Sequence, residues 1–369
     1  MTHIDARLAL LQRVMPHYRI PFFNALGEAC TAGLSVYAGQ PRENEAIEIG
    51  QALENAQYEQ GSNLHLFYGP LYLCWQRGLK DWLAQWNPEV LIAEANPRYL
   101  STPGAVRWMK QRGRPVIGWG LGAPVSEGGM YRMRRAMRQR FIRQFDALIT
   151  YSHQGLDEYK QLGFDPERIL VAPNAVTSRP PQPPVERPPV FENGRATVLY
   201  VGRLQERKRL DLLIRACAGF APEKQPNLWI VGEGPVKAEL EAQAAREYPQ
   251  TRFFGALYDD ALIPLYQKAD LFVLPGTGGL AVQQAMAHGL PVIVAEADGT
   301  QTDLVCPKNG YLTLPGDEEQ LNFSLGKALE DPARLRKMGM ESYRIVKEEI
   351  NLEIMLDAFA QAVALVREA

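Results

Sequence analysis

Two cations leave a strand together in VLYVGRLQERKRLDLLIRA, residues 198–216. The apolar run ends at Gly202, Arg203 and Lys208 follow, and Leu210, Leu213 and Ile214 then recur at helical spacing. Arginine offers a planar fork and lysine a point charge, so the pair at a strand-to-helix turn suits a diphosphate. The same residues also describe a basic surface loop, and spacing alone does not separate the two. A second stretch, LFVLPGTGGLAVQQAMAHGLPVIVAEADG, residues 271–299, reads as strand, glycine-rich loop, helix and strand. Gly276, Gly278 and Gly279 let backbone N–H groups approach a ligand closely. A helix over about 280–288 would turn its positive end toward an anion. The plainer reading is a tight turn that needs small residues.

In the first half, His17, Tyr18 and Arg19 follow the apolar run in QRVMPHYRIPFF. Such a polar trio binds an acceptor or supplies a base, although a loop histidine is as often only hydrogen-bonded or solvated. Asn96 and Arg98, in EANPRYLSTPG, end another run and are further acceptor contacts. VIGWGLGAPVSEGG adds Trp119 and Glu127 and contains no histidine. Asp303 touches the donor or caps a helix, and His288 packs or caps at the end of its own.

Positioning these residues requires a particular scaffold. Short apolar runs alternate with amphipathic segments throughout, as parallel α/β units do. RLALLQRV, GLSVYAG, EVLIAE, RPVIGWG, DALITYS and RILVAPN are the strands of the first half. ATVLYVG, NLWIVG, TRFFGA, LFVLPG, LPVIVAE and GYLTL are those of the second. Between the halves, TSRPPQPPVERPPVFENGRA carries three proline pairs and reads as an extended, semi-rigid joint outside any core. The expected organisation is a Rossmann-like domain over 1–176, a linker over 177–196, and a second Rossmann-like domain over 197–345. A helix over 346–369 returns to the first domain. Ligands bind at the carboxyl ends of strands in such sheets, and two that face one another enclose a cleft there.

YVGRLQERKRLDLLI, then IVGEGP, FFGAL, QKADLFVLPG and AMAHGLPVIV, resembles the group 1, or family 4, retaining glycosyltransferases in order and approximate spacing. The first half matches more weakly, in its strand pattern and in ERILVAPNAV. The resemblance implies the GT-B fold, two Rossmann-like domains facing each other across a cleft, the first (1–176) binding acceptor and the second (197–345) binding nucleotide sugar, and metal-independent sugar transfer with no cofactor. It implies that Arg203 and Lys208 bind the donor diphosphate. Gly202, Gly232 and Gly234 would border the nucleotide, Leu257 would lie near the base, and Thr277 and Leu280 would sit in the donor loop. Members usually carry two glutamates eight positions apart, the first on the transferred sugar and the second on the ribose. Here those positions are Gly276 and Gln284. The glutamine amide still suits a ribose hydroxyl, whereas at Gly276 only backbone remains.

The resemblance further implies a donor of the UDP, GDP or dTDP type and a glycan or lipid-linked acceptor, in bacterial polysaccharide or glycolipid assembly. Two rival readings stand beside it: a GT-B nucleotide-sugar epimerase, and a catalytically silent nucleotide-sugar or glycan-binding partner of another transferase. Bulk properties set the outer limits. The chain has 369 residues and a formal net charge of -2, which gives no argument for nucleic acid. Cys30, Cys74, Cys217 and Cys306 are scattered without metal-like spacing and predict reduced thiols in a cytoplasmic protein. No apolar run approaches the roughly 18 residues of a membrane span. MYRMRRAMRQRFIRQF, residues 130–145, nevertheless concentrates six arginines around Met133, Met137, Phe141 and Phe145. It is either a helix that docks on an anionic membrane surface or a domain helix with solvated arginines.

Overall fold

The computed structural model describes residues 2–43, 45, 47–123 and 131–368. The chain divides into two units, Met1–Val176 with Leu352–Ala369, and Thr177–Asn351.

In the first unit the strands are β1 (Leu8–Val14), β2 (Leu34–Gly39), β3 (Gln57–Gln60), β4 (Ser62–Leu66), β5 (Leu73–Arg77), β6 (Val90–Glu94), β7 (Val116–Gly120), β8 (Ala147–Thr150) and β9 (Ile169–Val171). Seven of them form a parallel sheet in the order β3-β2-β1-β6-β7-β8-β9. Every residue of β1 except Arg13 is buried, which is why its sequence is a nearly unbroken apolar run. β4 and β5 pair antiparallel, Leu64 opposite Trp75, as a hairpin the apolar runs did not reveal. The helix Leu352–Arg367 closes this core. Phe359 is fully buried and meets Phe22 and Trp119 edge-on, at centroid distances of 4.8 and 4.9 Å.

The second unit holds β10 (Thr197–Val201), β11 (Asn227–Val231), β12 (Arg252–Phe253), β13 (Leu271–Leu274), β14 (Val292–Ala295) and β15 (Gly310–Thr313). Its parallel sheet runs β12-β11-β10-β13-β14-β15. Strand order reverses between β10 and β13, as it does between β1 and β6 in the first unit. Loops leaving the carboxyl ends of those pairs diverge and leave room for a ligand.

The proline-rich segment, expected from its composition to be a semi-rigid joint outside any core, is held to the second unit by side chains. Arg187 donates to four carbonyls of the second unit: Ala269 at 3.0 Å, Gly289 at 3.2 Å, Tyr266 at 2.7 Å and His288 at 3.1 Å. From the other side Arg336 donates to Pro188 O at 2.8 Å and lies over the Phe191 ring. Prolines stiffen the segment, while the arginines fasten it.

Candidate functional site

At the β10/β13 switch point the glycines do backbone work first. Gly202 N–H donates to Val231 O at 3.0 Å, and Gly232 N–H to Gly255 O at 2.7 Å, which ties the three strand ends together. A Cβ on Gly232 would stand 1.9 Å from Gly202 O, and one on Gly234 would stand 2.0 Å from Leu204 O. Only glycine lets these loops lie so close. Arg203 is exposed, and Leu257 packs partly buried on the core of the unit.

Lys208 is buried instead. It is 5% exposed, and its ammonium donates to Thr277 O at 2.7 Å and to Gly278 O. Arg207 reaches the same Thr277 carbonyl at 3.0 Å, and Thr277 N–H returns a bond to Arg207 O at 3.0 Å. Two loops seventy residues apart in sequence are thus stitched together. Desolvation, then the nearby Arg207 charge, lower the Lys208 pKa to about 8. Among the described residues no carboxylate pairs with Lys208. A buried cation held only by carbonyl dipoles is poised for an anion.

Gly276 lies beneath this stitch. A Cβ there would meet Arg207 O at 2.2 Å and the Cα and C of Lys208 at 2.5 Å. Gly278 and Gly279 hold φ of +68° and +145°, which glycine alone adopts without strain. Thr277 spends its N–H inside the protein, so the loop is not an open cradle of donors. Leu280 caps the following helix, Ala281–Ala287, which has only about two turns and a correspondingly small dipole. On that helix the Gln284 Oε1 accepts from the Tyr266 hydroxyl at 3.4 Å. His288 caps it and stacks on Tyr266, 5.0 Å between centroids and 11° between planes. Burial, then Arg187, hold its pKa below the usual histidine value. Asp303 lies in the short helix Gln301–Leu304, after a loop whose Ala297 and Asp298 N–H groups donate to Gln301 Oε1.

At the β1/β6 switch point of the first unit, His17 and Tyr18 are exposed, and so is Arg98, whose N–H donates to Asn96 Oδ1 at 3.1 Å. Arg19, expected as an acceptor contact, lies inside the unit. It is 4% exposed, donates to Asn174 Oδ1 at 2.5 Å and Ala175 O at 3.4 Å, and sits 5.3 Å from each of the Tyr18, Trp119 and Tyr151 rings. Its charge is satisfied inside the unit by carbonyl and aromatic partners. Trp119, expected in the same role, is 1% exposed and packs on Phe22, Tyr151 and Phe359. Glu127 lies outside the described residues.

One group escaped sequence reasoning. Glu94 ends β6 and accepts a bond from the Arg13 N–H. Desolvation raises its pKa to about 7, against the opposing pull of the Arg13 amide and charge. Arg13 itself pairs with Glu45 at 2.7 Å. A carboxyl with a raised pKa therefore stands at the carboxyl edge of the first unit's parallel sheet. Its signal was an acid terminating an apolar strand.

The basic segment forms the helix Tyr131–Ile142. Its apolar stripe divides: Phe141 and Phe145 are buried, whereas Met133 and Met137 are 55% and 64% exposed amid exposed Arg132, Arg134 and Arg135. Among the described residues no helix is long and apolar enough to cross a membrane, and no group of three His, Cys, Asp or Glu is placed to hold a metal.

Residues 184–345 match the family model described as Glycosyl transferases group 1, and residues 36–175 match that of a Glycosyl transferase 4-like domain. The chain is 28% identical over 242 residues to the glycogen synthase of Mycobacterium tuberculosis, covering 63% of this chain and 58% of that protein. It is 36% identical over 141 residues to the sulfoquinovosyl transferase of Arabidopsis thaliana, covering 36% and 26%. It thus spans little more than half of these curated relatives at most. In fold it is similar to the Anabaena protein HepE, solved with UDP, with a TM-score of 0.69 and 17% identity over 99% of this chain and 100% of that one. This is the GT-B fold, here two units each built on a parallel sheet.

Proposed function

The chain belongs to the group 1 glycosyl transferases, and on that premise we propose that it moves a sugar from a nucleotide-sugar donor to an acceptor hydroxyl with retention of configuration. The observation that carries this is Lys208, a buried cation at the β10/β13 switch point with no acid beside it among the described residues. With Arg203 on the same loop it supplies positive charge where a diphosphate leaving group becomes more negative. The acceptor oxygen attacks the anomeric carbon on the face from which the phosphate departs, and a phosphate oxygen takes the acceptor proton. Retention then needs no side-chain nucleophile. Charge stabilisation comes from arginine and lysine, so the reaction is written without a metal or other cofactor.

Incubation of the protein with UDP-, GDP- and dTDP-sugars, with and without glycan and glycolipid acceptors, tests this reading. UDP-glucose comes first, because the Anabaena protein was also solved with it. Acceptor-dependent release of the nucleoside diphosphate supports transfer, and product anomeric configuration by NMR decides retention. Nucleotide binding without turnover on any pair would support the catalytically silent reading, which the missing glutamates favour. An isomerised free sugar would support the epimerase. Gln284→Ala is expected to weaken nucleoside diphosphate binding by about 1 kcal/mol, the worth of one neutral hydrogen bond, as read by calorimetry.

The acceptor reading extends to a membrane surface, in polysaccharide or glycolipid assembly on the cytoplasmic face. Exposed methionines amid arginines on Tyr131–Ile142 suit an anionic headgroup layer, each arginine contributing about 1 kcal/mol near the surface. Sedimentation with anionic vesicles is expected to capture the protein at low salt and to release it as salt rises, while neutral vesicles leave it in solution. Arg132→Gln with Arg134→Gln is expected to abolish capture without changing nucleotide binding. Indifference to anionic vesicles at low salt would make a soluble acceptor the better reading.

A further inference from the structure

The helix that carries Gln284 ends on an arginine contributed by the proline-rich segment. Ile263–Lys268 and Ala281–Ala287 both terminate beside Arg187, and its guanidinium takes the carbonyls of Tyr266 and Ala269 from the first helix end. It takes those of His288 and Gly289 from the second. Helix C-termini leave carbonyls without partners and carry partial negative charge, so a cation there is favourable. Five N–H donors in one fixed plane reach all four oxygens, which lysine cannot do.

The bonded residues are connected onward. Tyr266, held at its carbonyl, stacks through its ring on His288 and donates its hydroxyl to Gln284 Oε1. His288, also held at its carbonyl, donates its N–H to Gln284 O at 3.2 Å. Both ends of Gln284, amide oxygen and backbone carbonyl, are thus engaged by residues that Arg187 fixes. A glutamine amide turns about its last torsion with little resistance, so an external bond decides where it points.

We propose that Arg187 is a positioning residue for the donor site, holding Tyr266 and His288 so that the Gln284 amide is aimed at the nucleotide. The inference rests on the reading of Gln284 as the ribose contact. It gives the joining segment a part in donor recognition that a spacer of equal stiffness would not have. Burial, then the repulsion of Arg336, lower the Arg187 pKa to about 10, which leaves it charged at neutral pH.

The test measures affinity for UDP, GDP and dTDP by calorimetry, well below each variant's Tm, in Arg187→Gln, Tyr266→Phe, Gln284→Ala and the Arg187→Gln/Gln284→Ala double variant. Arg187→Gln and Tyr266→Phe are each expected to weaken the best-bound nucleotide about fivefold, the scale of one hydrogen bond. The double variant is expected to bind as Gln284→Ala does, because both changes remove one contact. A merely structural arginine lowers Tm and leaves the affinity of the folded protein alone, and that outcome overturns the proposal. Independent, multiplying losses in the double variant overturn it too. If Gln284→Ala binds like wild type, the ribose reading falls first and the inference with it. Should Arg187→Gln fail to fold, Tyr266→Phe decides, since it removes only the hydroxyl that meets Gln284.

Discussion

A Lys208→Ala protein is expected to fold and to transfer sugar about 10²–10³ times more slowly than wild type, the effect of removing one preorganised charge from a leaving-group site. Arg203→Ala is expected to act in the same direction. Lys208→Met, which keeps most of the stem, separates lost charge from lost packing and should be nearly as slow. The pH dependence has a definite sign. The native pKa of about 8 lies below the ordinary lysine value of 10.5, so between the two the unfolded chain binds the proton that the native protein has released. Unfolding free energy of the ligand-free protein therefore rises with pH across that window, and Lys208→Met should remove the rise. Nucleoside diphosphate affinity moves oppositely, falling above about pH 8 as the clamp loses its charge. A folded Lys208→Ala protein with wild-type turnover would refute the assignment.

Gly276→Glu, which restores the residue usual in the family, is expected to reduce activity. The new Cβ would fall 2.2 Å from Arg207 O and 2.5 Å from the Lys208 main chain. Main-chain atoms cannot rotate away, so the two loops must part. Overpacking of this kind costs about 1–3 kcal/mol. Separation would also break the Thr277 bond to Arg207 and move the carbonyls that hold Lys208. Even Gly276→Ala should lower the Tm and weaken nucleotide binding. A Gly276→Glu protein with raised turnover would show instead that the loop opens readily and that the glycine is merely a lost glutamate. Loop geometry favours a built glycine.

Sequence served best where burial is two-sided. Strands such as β1 and β13 are covered on both faces and stand out as apolar runs, so both parallel sheets were legible. β3, QYEQ, lies at a sheet edge with mostly exposed residues, and β4–β5 mixes apolar and polar positions, so neither announced itself. Lys208 drew notice because a cation after a strand-ending glycine is a local pattern. Arg19, a cation a few residues beyond the end of β1, drew notice in the same local way. Its fate is settled by Asn174, Ala175 and Met355, more than 150 residues away in the chain. Gly276 likewise owes its identity to a loop some seventy residues earlier. Contacts that depend on chain return have no local signature.

The helix Leu352–Arg367 has a consequence for biosynthesis. Phe22 and Trp119 leave the ribosome early, but Phe359, which covers them, emerges only after all of 177–351. Domains usually complete in the order of synthesis. Here the contiguous second unit can finish first, while the amino-terminal core waits with an apolar face uncovered. A nascent chain stalled before residue 352 should accordingly protect 177–351 from protease and leave the first 176 residues susceptible, until the last helix docks and closes them.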